Sequence, residues 1–322
     1  MNLLALRGSA WIALRLHRTA LWTGLALAAA SAVLLGGLRS WVNSVGGGQD
    51  CESDGSVACS GYDSAYQWFS NTSLVDSKVL LFLPLLLGAF VAGPVIGREL
   101  ESRTHLLAWS QSVSPTLWLT AKLGVAALLT SAVTLAFMGA FRLSSFKDPY
   151  NEVLQWSDRG VYEATGPALV AYGLLAVAVG ALAGLMVRRV VPAMALSGAV
   201  TGAVLFGLSS VRWSLLPVQT FTVKETSKEP STLSIAPPVR DVFITESGVE
   251  NAAGQRFQPE ECLPKPQPGF HCPADNAPVR AYADYHPRSH FWYIQFMETG
   301  IVLALAALAA YAAFRVLRRR TA

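Results

Sequence analysis

The stretch Gly93–Lys122 reads GPVIGRELESRTHLLAWSQSVSPTLWLTAK and lies between two long apolar runs, one ending at Ile96 and the next beginning at Leu123. It carries Arg98, Glu99, Glu101, Arg103, His105 and Lys122 at helical spacing. Gly93 and Pro94 are expected to break the first run near its end. Arg98 through Trp109 then form a helix, which the turn Ser112–Pro115 ends, because a residue before proline leaves the helical region. Trp118 and Lys122 open the next run at headgroup level, one as an aromatic anchor and one by snorkelling. A connector lying flat beneath a membrane and touching another protein has this make-up. A plain joining loop shares its mixed charge.

Outward from this stretch the chain is apolar. Of its 322 residues 52% are hydrophobic and 14% charged, against about 25% charged in soluble domains. A bilayer core needs about 20 consecutive apolar residues per helix. Six segments meet or approach that: Leu21–Leu38, Val79–Ile96, Leu123–Phe141, Gly166–Val187, Val190–Val211 and Phe291–Phe314. The first five hold no Asp, Glu, Lys or Arg, and Glu298 is the one acid expected inside a span. The fold class is an all-α polytopic membrane protein. An amphipathic N-terminal helix precedes six transmembrane helices, with a small loop-rich or β extracellular segment before the sixth. Three regions follow: residues 1–212 with the flat helix and spans one to five, 213–288 as the extracellular segment, and 289–322 with the sixth span and a basic tail.

Basic residues near span ends set orientation. Arg7, Arg15 and Arg18 precede the first span, Arg98, Arg103 and Lys122 lie between the second and third, and Arg188 and Arg189 form the tight turn between the fourth and fifth. Arg315, Arg318, Arg319 and Arg320 end the chain. All fall on one side, so both termini are expected in the cytoplasm of a multi-pass cell-membrane protein. The net charge of +4 reflects these inner arginines and gives no reason to invoke nucleic acid. Cys51, Cys59, Cys262 and Cys272 all fall on the opposite, oxidising side. Four cysteines allow three pairings. Closure at short range, Cys51–Cys59 and Cys262–Cys272, is the simplest, with metal binding the alternative.

Residues 2–18 have the pattern of an interfacial helix, with Arg7, Trp11, Arg15 and Arg18 on one side and Leu3, Leu6, Ala10 and Leu14 on the other. No A-x-A-like site follows the first apolar run, so it reads as a retained span rather than a signal peptide. Trp41–Ser77 is expected as an outer loop. In the next outer loop, Arg142–Thr165, Tyr150, Val153, Leu154 and Trp156 are candidates for one face of an interfacial helix. Eleven of the 17 prolines lie between Pro217 and Pro287, which excludes long helices there. Residues 239–245 have strand composition, and turn signals at Gly248 and Asn251–Gly254 suggest a hairpin.

Parts for chemistry are missing. The chain has no Gly-Lys dipeptide, so a phosphate-binding G-x-x-x-x-G-K-[ST] loop is impossible and any driving ATP is bound elsewhere. No Ser or Cys nucleophile is placed with His17, His105, His271, His286 or His290. His286 and His290 crowd the mouth of the sixth span with Arg288, Trp292 and Tyr293, and read first as an interfacial belt. Glu298, an expensive intramembrane ionisable group, is a functional candidate. Arg142, Arg212 or a hydroxyl are its candidate partners. Gly180 and Gly184, and Gly198 and Gly202, have the spacing of close-packing helix faces, a weak signal for a dimer face.

Arg98, Glu99, Glu101, Thr104, Pro115 and Lys122 match a pattern, Arg-Glu-x-Glu-x-Gly-Thr followed by a short helix, Pro and Lys. The segment resembles the first cytoplasmic loop of ABC-2 type permeases, the membrane subunits of ATP-driven exporters. Leu107–Val113 is similar to a subgroup from high-GC Gram-positive bacteria. Arg103 stands where that family often has Gly, so a more regular turn is expected here. The resemblance implies a non-enzymatic permease subunit working in the membrane lipid. It pairs with a second permease, a homodimer in preference to a heterodimer, and with two ATPase subunits that hold ATP and Mg. It implies ATPase coupling through Arg98, Glu99, Glu101, Arg103 and Thr104, with export of a hydrophobic or amphipathic drug, peptide or lipid. A non-transporting sensor that binds an envelope ligand through its outer loops is the alternative, and a scaffold without an ATPase is a third reading.

Overall fold

The computed structural model describes residues 18–45, 57–89, 93–104, 114–145, 154–224, 241–258 and 278–321. The chain packs as two units, Val211–Ile294 and a helical unit formed by the sequence on either side of it.

The helical unit is built from α1 (Arg18–Ser44), α2 (Val57–Leu87), α3 (Gly93–Glu101), α4 (Pro115–Ser145), the short α5 (Val161–Thr165), α6 (Ala168–Val187), α7 (Val190–Val211) and α8 (His290–Thr321). Among the described residues six helices are long and apolar enough to cross a membrane: α1, Ser64–Leu87 of α2, most of α4, α6, Val190–Ser214 and α8. Helices are the expected outcome for such runs, because in lipid each backbone polar group must be satisfied within its own segment.

α6 is the axis. Fifteen of its 20 residues are buried, and it is made of Ala, Gly, Leu and Val with Tyr172. One apolar cluster joins Leu80, Leu83 and Leu87 of α2 to Val133, Phe137 and Phe141 of α4 and Leu169 of α6. A second joins Tyr172, Leu175 and Val179 to Leu205 of α7 and to Val302 and Ala306 of α8. A third gathers Ile96 of α3, Trp118 and Leu119 of α4, Ala181 and Leu185 of α6, and Ala313 and Leu317 of α8. α1 touches the rest along a narrow seam, with only Ala28, Leu35 and Val42 buried. α6 ends where Arg188 turns left-handed (φ 55°) and its N–H bonds the Gly184 carbonyl, so α7 starts two residues later.

The second span differs from the sequence expectation. It does not run Val79–Ile96 after a loop over Trp41–Ser77. The helix already begins at Val57 and ends at Leu87, and α3 is a separate helix. Its polar stretch from Asn71 to Lys78, with Ser73 and Asp76, breaks the apolar pattern that sequence reading follows. The loop before α6 differs too. Leu154–Gly160 is turns, Trp156 is buried, and the helix that forms is Val161–Thr165. Gly160 precedes it at φ 95°, and a Cβ there would lie 2.5 Å from the Ser77 carbonyl oxygen, so only glycine fits. The Gly160 N–H donates to Glu163 Oε2 at 2.6 Å, closing the N-terminus of α5 with a fully buried carboxylate.

The other unit is a four-stranded antiparallel sheet of order β1–β4–β2–β3. Its strands are β1 (Gln219–Lys224), β2 (Val242–Asn251), β3 (Arg256–Phe257) and β4 (Pro278–Pro287). The β2–β3 hairpin turns at Asn251, whose side-chain oxygen accepts from the N–H groups of Ala253 and Gln255, with Gly254 at φ 79°. Gly248 lies inside β2 rather than at a turn. A Cβ there would meet the Phe257 carbonyl at 2.7 Å. β4 lies between β1 and β2, pairing with β1 over Arg280–Tyr285 and with β2 over Pro278–Pro287; residues 225–240 and 259–277 of the segment lie outside the described ones.

Candidate functional site

α3 is held on three sides by neighbouring helices. Pro94 sits in its first turn, where the missing N–H costs nothing, so Gly93-Pro94 starts this helix instead of merely breaking the previous one. It stops at Glu101, short of the expected Trp109; residues 105–113 lie outside the described ones. The Ser102 N–H bonds the Arg98 carbonyl at 3.0 Å, and the chain then turns at Arg103 with φ 57°. The expected regular turn is therefore overturned. Arg103 takes the left-handed conformation that glycine adopts freely after a helix end. Thr104 Oγ1 shares a hydrogen bond with Ser102 Oγ at 3.0 Å.

Both carboxylates of the motif engage neighbouring spans. Glu99 Oε1 accepts from Lys122 Nζ in an ion pair, and its Oε2 accepts from Trp118 Nε1 at 3.0 Å. Trp118 and Lys122 are buried on α4, and the Glu99 side chain is 24% exposed. Glu101 Oε2 accepts the backbone N–H of Val190, the first residue of α7, at 2.9 Å. A carboxylate suits a helix N-terminus, where N–H groups lack intrahelical partners. On the third side α3 lies close to α6: a Cβ on Gly184 would come within 3.0 Å of the Gly97 nitrogen. Arg98, Glu101, Ser102, Arg103 and Thr104 remain exposed on the outer side. One short helix is thereby fastened to α4, α6 and α7 while presenting a charged face outward.

Residues 19–212, the stretch from α1 through α7, match the family described as ABC-2 membrane transporter related. The chain belongs to that family. No curated protein and no solved structure matches the chain. This ABC-2 type permease is a multi-pass membrane protein of a family whose members are typically non-catalytic membrane subunits working with ABC ATPase subunits.

Inside the permease's helical unit, Glu298 of α8 is fully buried and accepts from the Tyr172 hydroxyl of α6 at 2.7 Å. A hydroxyl is thus one partner of Glu298, while Arg142 donates to the Thr165 carbonyl. Gln295, one turn before, accepts the Ala168 N–H at 3.2 Å and donates to the Tyr162 carbonyl at 2.7 Å. Glu298 is not the sole acid in a span. Asp76 lies in α2 and accepts from Ser31 of α1 at 2.9 Å, and Lys78 follows it on an exposed face. The apolar pattern hides both, because it places the second span at Val79–Ile96. Gly198 faces Ala89, just beyond α2, Gly202 faces Leu85 of α2 and Gly184 faces α3, so these three glycines serve packing within the chain.

In the sheet unit, His286 is buried on β4. One ring nitrogen, Nε2, lies 2.9 Å from the Trp213 carbonyl and the other, Nδ1, 3.0 Å from His290 Nδ1. Burial holds His286 below the ordinary histidine value; the carbonyl bond opposes this and His290 reinforces it. Alongside, Asp284 accepts from Thr220 and from Arg256, and the Arg256 guanidinium lies 4.4 Å from the ring centre of Tyr282. Burial and the Glu246 carboxylate push the Tyr282 hydroxyl up to about 12. Among the described residues no group of three or more His, Cys, Asp or Glu could hold a metal. Cys51, Cys262, Cys272 and residues 1–17 lie outside the described residues, and Cys59 is described only as a backbone position in α2. The expected pairings and the flat N-terminal helix thus fall outside the described residues.

Proposed function

We propose that this permease is the membrane-spanning half of an ABC exporter, and that α3 is the element through which separate ATPase subunits drive it. The observation that carries the reading is the triple attachment of α3. Glu99 ties it to Lys122 and Trp118 of α4, Glu101 ties it to the start of α7, and Gly97 lies against Gly184 of α6. Displacing one rigid turn moves three spans together. Arg98, Arg103 and Thr104 form the outward contact surface, and Glu101 lies at its edge.

The basic residues of α3, the Arg188-Arg189 turn and the end of α8 support a cytoplasmic position for these elements. Two permease copies and two ATPases form the working assembly, ATP and Mg are bound by the ATPases, and the cargo is hydrophobic or amphipathic. The folded sheet unit favours one second reading, a sensor in which an envelope ligand binds that unit and the signal passes inward through α3.

Site-directed crosslinking tests the reading. A photoreactive residue at Arg98 or Arg103 should capture the ATPase in the co-expressed complex, and one at Leu128 on the lipid-facing side of α4 should not. Equal capture from all three positions, or none from α3, would refute it.

A further inference from the structure

The exposed face of α2 changes character along its length. Ser64, Gln67, Trp68 and Asn71, with Thr72 and Val75, line an open groove of about 510 Å³. Steps of three and four residues carry the same face down to Lys78, then to Val79, Phe82 and Leu86, all exposed. Phe82 meets Phe206 of α7 with ring centres 6.1 Å apart. The face therefore runs from amides and an aromatic ring, through one cation, to an apolar step against α7.

The depth of Lys78 is what makes this informative. The apolar-competent part of α2 is Ser64–Leu87. Lys78 lies nine residues from its end and fourteen from its start, which at helical rise is about 14 Å and about 21 Å. Snorkelling moves a lysine head by less than either distance. A lysine near mid-span facing hydrocarbon, with two amides above it, is costly, and such groups face a water-filled path or a ligand. Among the described residues no carboxylate pairs with Lys78. Asp76, two residues away, is turned to the α1 flank, where it holds Ser31.

Resting on the transport reading above, we propose that this face of α2 binds the transported molecule. We propose further that the molecule is a single-chain amphiphile with one acidic head. The acid pairs with Lys78, Gln67 and Asn71 serve the water at its head, and the chain lies against Val79 and Phe82. Charge complementarity selects an anion. The apolar lower half of the same face accommodates one chain.

Binding to the complete permease–ATPase complex in nonionic detergent tests this. The probes are two fluorescent twelve-carbon amphiphiles, identical except for a carboxylate or a trimethylammonium head. The wild type should prefer the carboxylate by at least about tenfold, as a desolvated charge pair commands. Lys78→Arg should keep the preference, Lys78→Gln should abolish it and Lys78→Glu should invert it. Should Lys78→Glu fail to assemble, the comparison of Lys78→Gln with Lys78→Arg decides. No preference in the wild type, or an unchanged one in Lys78→Gln, overturns the proposal. So does displacement of the probe by phosphatidylglycerol as readily as by unlabelled lauric acid, since the occupant would then be a membrane lipid. ATPase crosslinking at α3 is independent of this outcome, so either reading can fail alone.

Discussion

Replacing Glu99 by Gln isolates the attachment of α3 to α4. The amide keeps the size of the side chain and can still accept from Trp118 Nε1, but it leaves the Lys122 ammonium without its counter-charge. Lys122 is 5% exposed, so water cannot fully replace the lost carboxylate. Removing one partner of a buried ion pair costs about 3–5 kcal/mol. The Glu99 side chain is 24% exposed, which brings this case below that range, to about 2–3 kcal/mol. Glu99→Ala also removes the Trp118 hydrogen bond, adding about 1 kcal/mol. The double variant Glu99→Leu/Lys122→Leu removes both charges and should recover most of the stability, since apolar replacement of a buried pair is near neutral. The assay is the thermal inactivation midpoint of the purified complex, read beside the ratio of ATP hydrolysed to cargo moved in proteoliposomes. Glu99→Gln should lower the midpoint and raise that ratio while membrane insertion stays normal. A wild-type midpoint and a wild-type ratio in Glu99→Gln would refute both the energetic argument and the role of α3 as a transmitting element.

Three further outcomes follow from particular contacts. Arg103→Gly should raise the thermal midpoint, because a left-handed non-glycine residue carries about 1–2 kcal/mol of strain that glycine lacks, whereas Arg103→Val should lower it. Gly160→Ala should cut the yield of folded protein in size-exclusion profiles, since the added Cβ meets the Ser77 carbonyl at 2.5 Å. The sheet unit should lose stability as pH falls. The His286 value in the fold lies below the unfolded value of 6.5, so the unfolded chain takes up the proton first and the loss begins below that point. Hydrogen exchange on β4 should show protection falling on acidification in the wild type and a flatter response in His286→Gln.

Much of the helical unit was legible because lipid leaves a sequence few choices. Long uncharged runs become helices, and α1, α4, α6, α7 and α8 emerge near where the apolar pattern puts them. α2 was misread for the same reason. Its middle carries Ser73, Asp76 and Lys78, and hydropathy alone cannot tell a polar stripe on a helix from a loop. The residue types around α3 were also visible, as was the candidacy of Glu298. The meeting of Glu99 with Lys122 across 23 residues, and of Glu101 with Val190 across 89, was not, since tertiary packing alone brings them together. Arg103 shows the opposite limit. The family's glycine marks a backbone conformation, and the conformation persists here after the glycine is gone. In the sheet unit the β2–β3 turn was readable from Asn251–Gly254; β1 alternates Phe221 and Val223 with Thr and Lys but over only six residues, and β4 shows no sustained alternation.

The unequal burial of α6 and α1 has a consequence for how this protein tolerates change. A complete substitution scan of α6 should show almost no rhythm, because its small side chains are enclosed on nearly every side and any added volume collides. The same scan of α1 should show a sparse beat at Ala28, Leu35 and Val42, one sensitive position in seven, with wide freedom between. Sequence variation among descendants of this chain should therefore accumulate on α1 and spare α6, so that the least decorated helix becomes the slowest to diverge.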